Sequence, residues 1–64
     1  MLPMVSGALT MARVLQGLPI PQVAVIAGVD PAEVFDAENF LEDVHPITVQ
    51  LTAVALGVDL SVLS

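Results

Sequence analysis

Two nearly identical phrases punctuate the chain, VAVIAGVD at residues 23–30 and TAVALGVD at 52–59. Each runs an apolar, alanine-containing stretch into Gly-Val-Asp, and each part of that tail has a mechanical meaning. Glycine takes the left-handed conformation that closes a helix, and valine is buried at the corner. Aspartate accepts hydrogen bonds from the first amides of the next helix. The phrase therefore predicts two sharp helix–helix corners within 64 residues. Helices cut this short must pack on one another to persist. Two copies with unlike flanks do not make a solenoid. The expected class is all-α, a compact bundle of four to five helices forming a single domain over 1–64, with its core within 6–63.

The remaining punctuation places the helices. Ser6 suits the cap of a first helix from about Gly7 to Gln16, stopped by Gly17. In it Met11, Val14, Leu15 and Leu18 lie at helical spacing, apart from Thr10, Arg13 and Gln16. Pro21 fits the first position of a short second helix, about Pro21 to Ala27. Asp30-Pro31-Ala32-Glu33 is a variant capping box, with Val29 and Val34 spaced as a hydrophobic staple. It opens a third helix, about Pro31 to Phe40, and Leu41 to Val44 reads as a loop. A fourth helix spans about Pro46 to Leu56, with Ile47, Leu51, Val54 and Val58 on one stripe and Val49, Ala53 and Leu56 on another. Apolar on most faces, it is expected at the buried centre. After Gly57 and the cap Asp59, with Val58 and Leu63 at staple spacing, about one turn of a fifth helix starts at Leu60.

Composition then decides what the surface must do. No cysteine is present, so neither a disulfide nor a thiolate–metal site can hold the fold. A domain this small buries only about 60% of its unfolded surface, yet 56% of the residues are hydrophobic and mean hydropathy is +0.93. An exposed apolar patch, serving a partner or a homodimer, is therefore expected. The longest uncharged run, Val14 to Val29, is interrupted by Gly17, Pro19 and Pro21. It falls short of the roughly 20 apolar residues of a membrane span. The opening MLPMVSGALTMAR lacks the basic start of a signal peptide. A cytoplasmic protein without membrane contact is the expectation.

Arg13 is the only Lys or Arg, against seven acids, for a net charge of −6. Six of those acids fall between Asp30 and Asp43. That balance opposes direct nucleic-acid binding, which draws its affinity from cations on phosphates, and opposes anionic membranes. His45, the only histidine, has just Glu42 and Asp43 near it in sequence, which is too little for a metal site. With no Cys, Lys, Tyr or Trp, no glycine-rich phosphate loop and no nucleophile turn, no enzyme and no cofactor are expected.

The order of elements from Met11 to Leu63 resembles the lambda-repressor-like (XRE-type) helix-turn-helix domain, a compact five-helix bundle. Val23-Ala24-Val25-Ile26-Ala27-Gly28-Val29-Asp30 matches that family's Leu-Ala-x-x-x-Gly-Val-Ser. Val34 and Glu38 match its recognition-helix pattern, and Thr52-Ala53-Val54-Ala55-Leu56-Gly57-Val58 approximates its fourth helix. The resemblance implies bacterial or phage transcription control. Departures accompany the matches. Ile20 stands where the family often has a phosphate-contacting Gln. The recognition-helix positions hold Pro31, Ala32, Glu33, Phe35 and Asp36, which supply none of the usual donors to bases or phosphate. The following loop, normally basic, holds Glu42 and Asp43.

These residues point to a regulator that acts by protein–protein contact, such as an antirepressor or modulator occupying a basic, DNA-binding partner. The expected partner-binding residues are Glu33, Phe35, Asp36, Phe40, Glu42 and Asp43, with apolar contact from helices 1 and 4. One or both phenylalanines are expected to join the core. The acidic run has a plainer reading, as the solvated face that keeps an apolar chain in solution. Two other functions stay open: a DNA-binding regulator whose basic contacts come from a partner chain or tail, and a structural homo-oligomerisation module.

Overall fold

Residues 2–62, with side chains from Met4 onward, are described by the structure, a computed structural model. The elements run α1 (Leu2–Leu15), α2 (Ile20–Ala27), α3 (Pro31–Asn39) and α4 (Pro46–Leu56), with single 3-10 turns at Leu41–Asp43 and Leu60–Val62. No strand occurs among the described residues. The protein is all-α, and its radius of gyration of 10.1 Å is that of a closed bundle of this length, about 11 Å. No single helix among the described residues is long and apolar enough to cross a membrane, and the axes of α1 and α2 meet at 107°.

Both Gly-Val-Asp corners form. Gly28 (φ +75°) and Gly57 (φ +74°) are left-handed C-caps. Behind them Val29 N–H reaches Ala24 O at 3.0 Å and Val58 N–H reaches Ala53 O at 2.8 Å. The capping box is complete: Asp30 Oδ1 accepts from Ala32 N–H and Glu33 Oε1 accepts from Asp30 N–H, both at 3.0 Å. At the second corner Asp59 Oδ1 accepts from the Ser61 amide at 3.0 Å and its hydroxyl at 2.6 Å, opening the Leu60–Val62 turn. The expected staple partner Leu63 lies outside the described residues.

The first helix departs from its expected bounds and phase. It already runs through Ser6, which caps nothing; its hydroxyl donates instead to Ala37 O on α3 at 3.2 Å. The inward side carries Leu9, fully buried, with Val5 and Ala12 packed on the same core. Thr10 and Arg13 also turn to α3, and Gln16 Nε2 donates to Leu56 O at 2.8 Å. Met11, Val14 and Leu15 are exposed. Polar side chains won the inner flank because α3 and α4 offer them acceptors, a fact absent from the periodicity of α1 alone.

A similar reversal holds in α4. Thr48, Thr52, Ala53 and Leu56 are its buried residues, while Ile47, Leu51 and Val54 are exposed, so the helix is not wholly buried. Its threonines tolerate burial because Thr52 Oγ1 donates to Thr48 O at 2.8 Å and Thr48 Oγ1 to Glu33 Oε2 at 3.3 Å. The core is thus Leu9, Val23, Ala24, Val34, Ala37, Ala53 and Leu56, drawn from all four helices.

Candidate functional site

The phase of α3 is fixed by what it buries: Val34, Ala37 and Glu38. Phe35 follows Val34 by one residue, about 100° around the helix, and so points outward. The helix ends at Asn39, whose Nδ2 donates to Phe35 O at 2.9 Å. Phe40 then leaves helical geometry (φ −135°, ψ 56°) while its amide still reaches Asp36 O at 2.6 Å. This break brings the Phe40 ring to 6.2 Å from the Phe35 ring, tilted by 51°.

Phe35 is 47% exposed and Phe40 49%, so neither phenylalanine joins the core. The expectation that one or both would do so fails because Leu41, immediately after, takes the buried position. Leu41 anchors the 3-10 turn, which replaces the expected loop and leaves Glu42 and Asp43 exposed. Asp36 is half-buried on the last full turn of α3. An aromatic pair open to solvent therefore has Asp36 between its two residues and Glu42 and Asp43 just after them along the chain.

Glu33 has a different place. It is exposed, but both its oxygens are engaged, one by the Asp30 amide and the other by the Thr48 hydroxyl. It fastens the start of α3 to α4. Five of the six expected site residues thus form the outward end of α3 and the turn after it, and Glu33 serves the architecture.

The electrostatics of this surface depend on a residue that sequence reasoning left unassigned. Arg13 donates from Nε to Glu38 Oε2 at 2.7 Å and from Nη2 to Glu38 Oε1 at 3.1 Å, while its Nη1 donates to Leu18 O at 3.1 Å. Thr10 Oγ1 adds a bond to Glu38 Oε1 at 3.1 Å. The Glu38 hydrogen bonds, aided by its negative charge and opposed by burial, raise the guanidinium pKa above its ordinary value. The only Lys or Arg is consumed inside the fold, so no second Lys or Arg offsets the carboxylates around Phe35 and Phe40. A single cation on helix 1 and an acid in the recognition-helix pattern were the available signals; their pairing needed the packing of α1 on α3.

His45 caps α4, its Nδ1 accepting from Ile47 N–H at 3.1 Å. Among the described residues no cluster of three or more His, Cys, Asp or Glu could hold a metal ion. Comparison with protein-family models, with curated proteins and with solved structures finds no match to this chain.

Proposed function

We propose that the protein is a small regulator of helix-turn-helix type that works through protein–protein contact, docking on a basic, DNA-binding partner without binding DNA itself. The single observation that carries this is the exposed Phe35–Phe40 pair beside Asp36, Glu42 and Asp43, on a chain whose only Lys or Arg is locked to Glu38. Aromatic side chains anchor interfaces, and carboxylates around them orient and accelerate the approach of a cationic surface. The helix-turn-helix type is supported by the motif resemblance and by the α2 and α3 helices joined at the Gly28-Val29-Asp30 corner. A cytoplasmic setting follows from such a partner.

We place the contact surface more narrowly than the sequence reading did, at the end of α3. Ser6, Thr10 and Arg13 fasten α1 to α3 from the inner side, so the exposed side of α1 turns away from α3. A partner seated on Phe35 and Phe40 uses the end of α3 and the Leu41–Asp43 turn.

Two measurements test the function. Titration of a labelled duplex at low salt is expected to show no saturable binding; a Kd below about 1 μM would sink the proposal, because cation-poor surfaces do not hold phosphates. Affinity capture by the immobilised chain, read by mass spectrometry, is expected to retain a basic DNA-binding protein.

A further inference from the structure

The C-terminal end of α3 lacks the cation that such an end favours. A helix carries partial negative charge at its C-terminus, where Lys, Arg or protonated His is stabilising. The last turn of α3 holds no basic residue. Asp36 lies on that turn instead, and Glu42 and Asp43 follow it, both exposed. Arg13 answers Glu38 from the inner side through Nε and Nη2, and its Nη1 is taken by Leu18 O.

The backbone at this end is also rich in acceptors. Ala37 O is met by the Ser6 hydroxyl at 3.2 Å, and Phe40 O by the Asp43 amide at 2.9 Å. Between them, Glu38 O and Asn39 O are reached by no donor among the described residues. Two carbonyl acceptors therefore stand immediately before Phe40.

Carboxylates and carbonyls attract any cation, and the aromatic pair distinguishes among them. The Phe35 and Phe40 rings are tilted by 51° at 6.2 Å, and about half of each is open to solvent. A lysine ammonium is a compact, strongly hydrated point charge. An arginine guanidinium is planar and weakly hydrated, so it stacks on an aromatic face while its N–H groups fork to oxygen acceptors.

We propose that the end of α3 takes an arginine side chain of the partner, stacked on the Phe35–Phe40 pair with its N–H groups turned to the open carbonyls and the neighbouring carboxylates. Arginine, in preference to lysine, is the cation that this surface selects. The assignment rests on the docking reading and narrows its basic partner to one that presents an exposed arginine. The arginines that DNA-binding surfaces aim at guanine are side chains of this kind.

NMR titration of the isotope-labelled full chain tests the assignment with two probes of equal charge, an acetylated and amidated Gly-Arg-Gly peptide and its Gly-Lys-Gly counterpart. Both are expected to shift the amides of Phe35, Asn39, Phe40 and Glu42, with the arginine peptide bound about two- to fivefold more tightly. Added salt is expected to weaken both peptides and to preserve the arginine preference, because stacking at contact is screened less than separated charges. Phe40→Leu and Phe35→Leu, each checked for an unchanged far-UV circular dichroism spectrum, are expected to remove the preference while weak binding of both peptides persists. Equal affinity of the wild-type chain for the two peptides overturns the arginine assignment and leaves docking on a basic partner standing. A preference that survives both leucine substitutions overturns it as well. So does the absence of shifts at the end of α3 with either peptide, and affinity capture then decides the docking reading on its own.

Discussion

Arg13 and Glu38 face each other as a two-bonded pair, with the Glu38 side chain 2% exposed and the Arg13 side chain 18%. This contact joins α1 to α3, and it also fixes the sign of the surface, because the chain has no second Lys or Arg. Breaking such a pair strands a buried charge, at a cost of about 3–5 kcal/mol. A domain of this size has a total stability of only about 3–10 kcal/mol. Arg13→Ala and Glu38→Ala are each expected to lower the urea midpoint markedly, Arg13→Ala the more because it leaves the buried Glu38 carboxylate without its cation. Arg13→Met/Glu38→Leu, which removes both charges, is expected to be more stable than either single variant in urea denaturation.

The phase of α1 makes a sharp contrast between near neighbours. Leu9 is fully buried, so Leu9→Ala is expected to cost about 2–5 kcal/mol. Met11, two residues on and exposed, is expected to change monomer stability by about 0.5 kcal/mol or less on replacement by Ala. Chemical denaturation at low protein concentration measures both. Equal costs at the two positions would contradict the orientation of the helix.

At the first corner, Asp30→Ala is expected to destabilise the fold by about 1 kcal/mol, since it removes the acceptor for Ala32 N–H. Thermal or urea unfolding reads this loss. Glu33→Ala is expected to cost a similar amount by releasing the Asp30 amide and Thr48, although Glu33 sits at an exposed position of the acidic helix.

Asp59 supplies a pH-dependent contribution. Its carboxylate is held below the ordinary range, first by the Ser61 hydroxyl and then by the Ser61 amide. A depressed folded-state pKa means stability that is present above the unfolded-state pKa and is lost as pH falls through the folded one. An NMR titration is expected to place Asp59 below a free aspartate, and Ser61→Ala to move it upward. An unchanged midpoint in that variant would remove the Ser61 hydroxyl as the leading cause.

What was legible in the sequence is local. Gly28, Gly57, Asp30 and Pro31 act on their immediate neighbours, so the corners and the capping box could be read directly. The phases of α1 and α4 could not, because each has apolar residues on two sides and periodicity cannot choose between them. The choice was made by distant partners: Glu38 for Arg13, Leu56 O for Gln16 and Glu33 for Thr48. The acids of the candidate surface were legible as charge. The exposure of Phe35 and Phe40 was not, since it rests on Val34 and Leu41 taking the inner positions.

Phe35 separates docking from folding. Its ring contacts Phe40 at 6.2 Å but lies outside the core, so Phe35→Ala is expected to cost only about 1 kcal/mol of stability. The same change is expected to remove most of the partner affinity, as for a central aromatic anchor. A folded Phe35→Ala chain that binds its partner normally would take the aromatic pair out of the interface.

The most direct test of the central claim compares capture by the wild-type chain with capture by Glu42→Lys/Asp43→Lys, two exposed positions in the 3-10 turn after α3. The account predicts that wild type retains a basic DNA-binding protein, that salt weakens the retention, and that the folded double variant loses it. Equal retention by the two chains would show that the acids only keep the protein in solution, and would contradict the account.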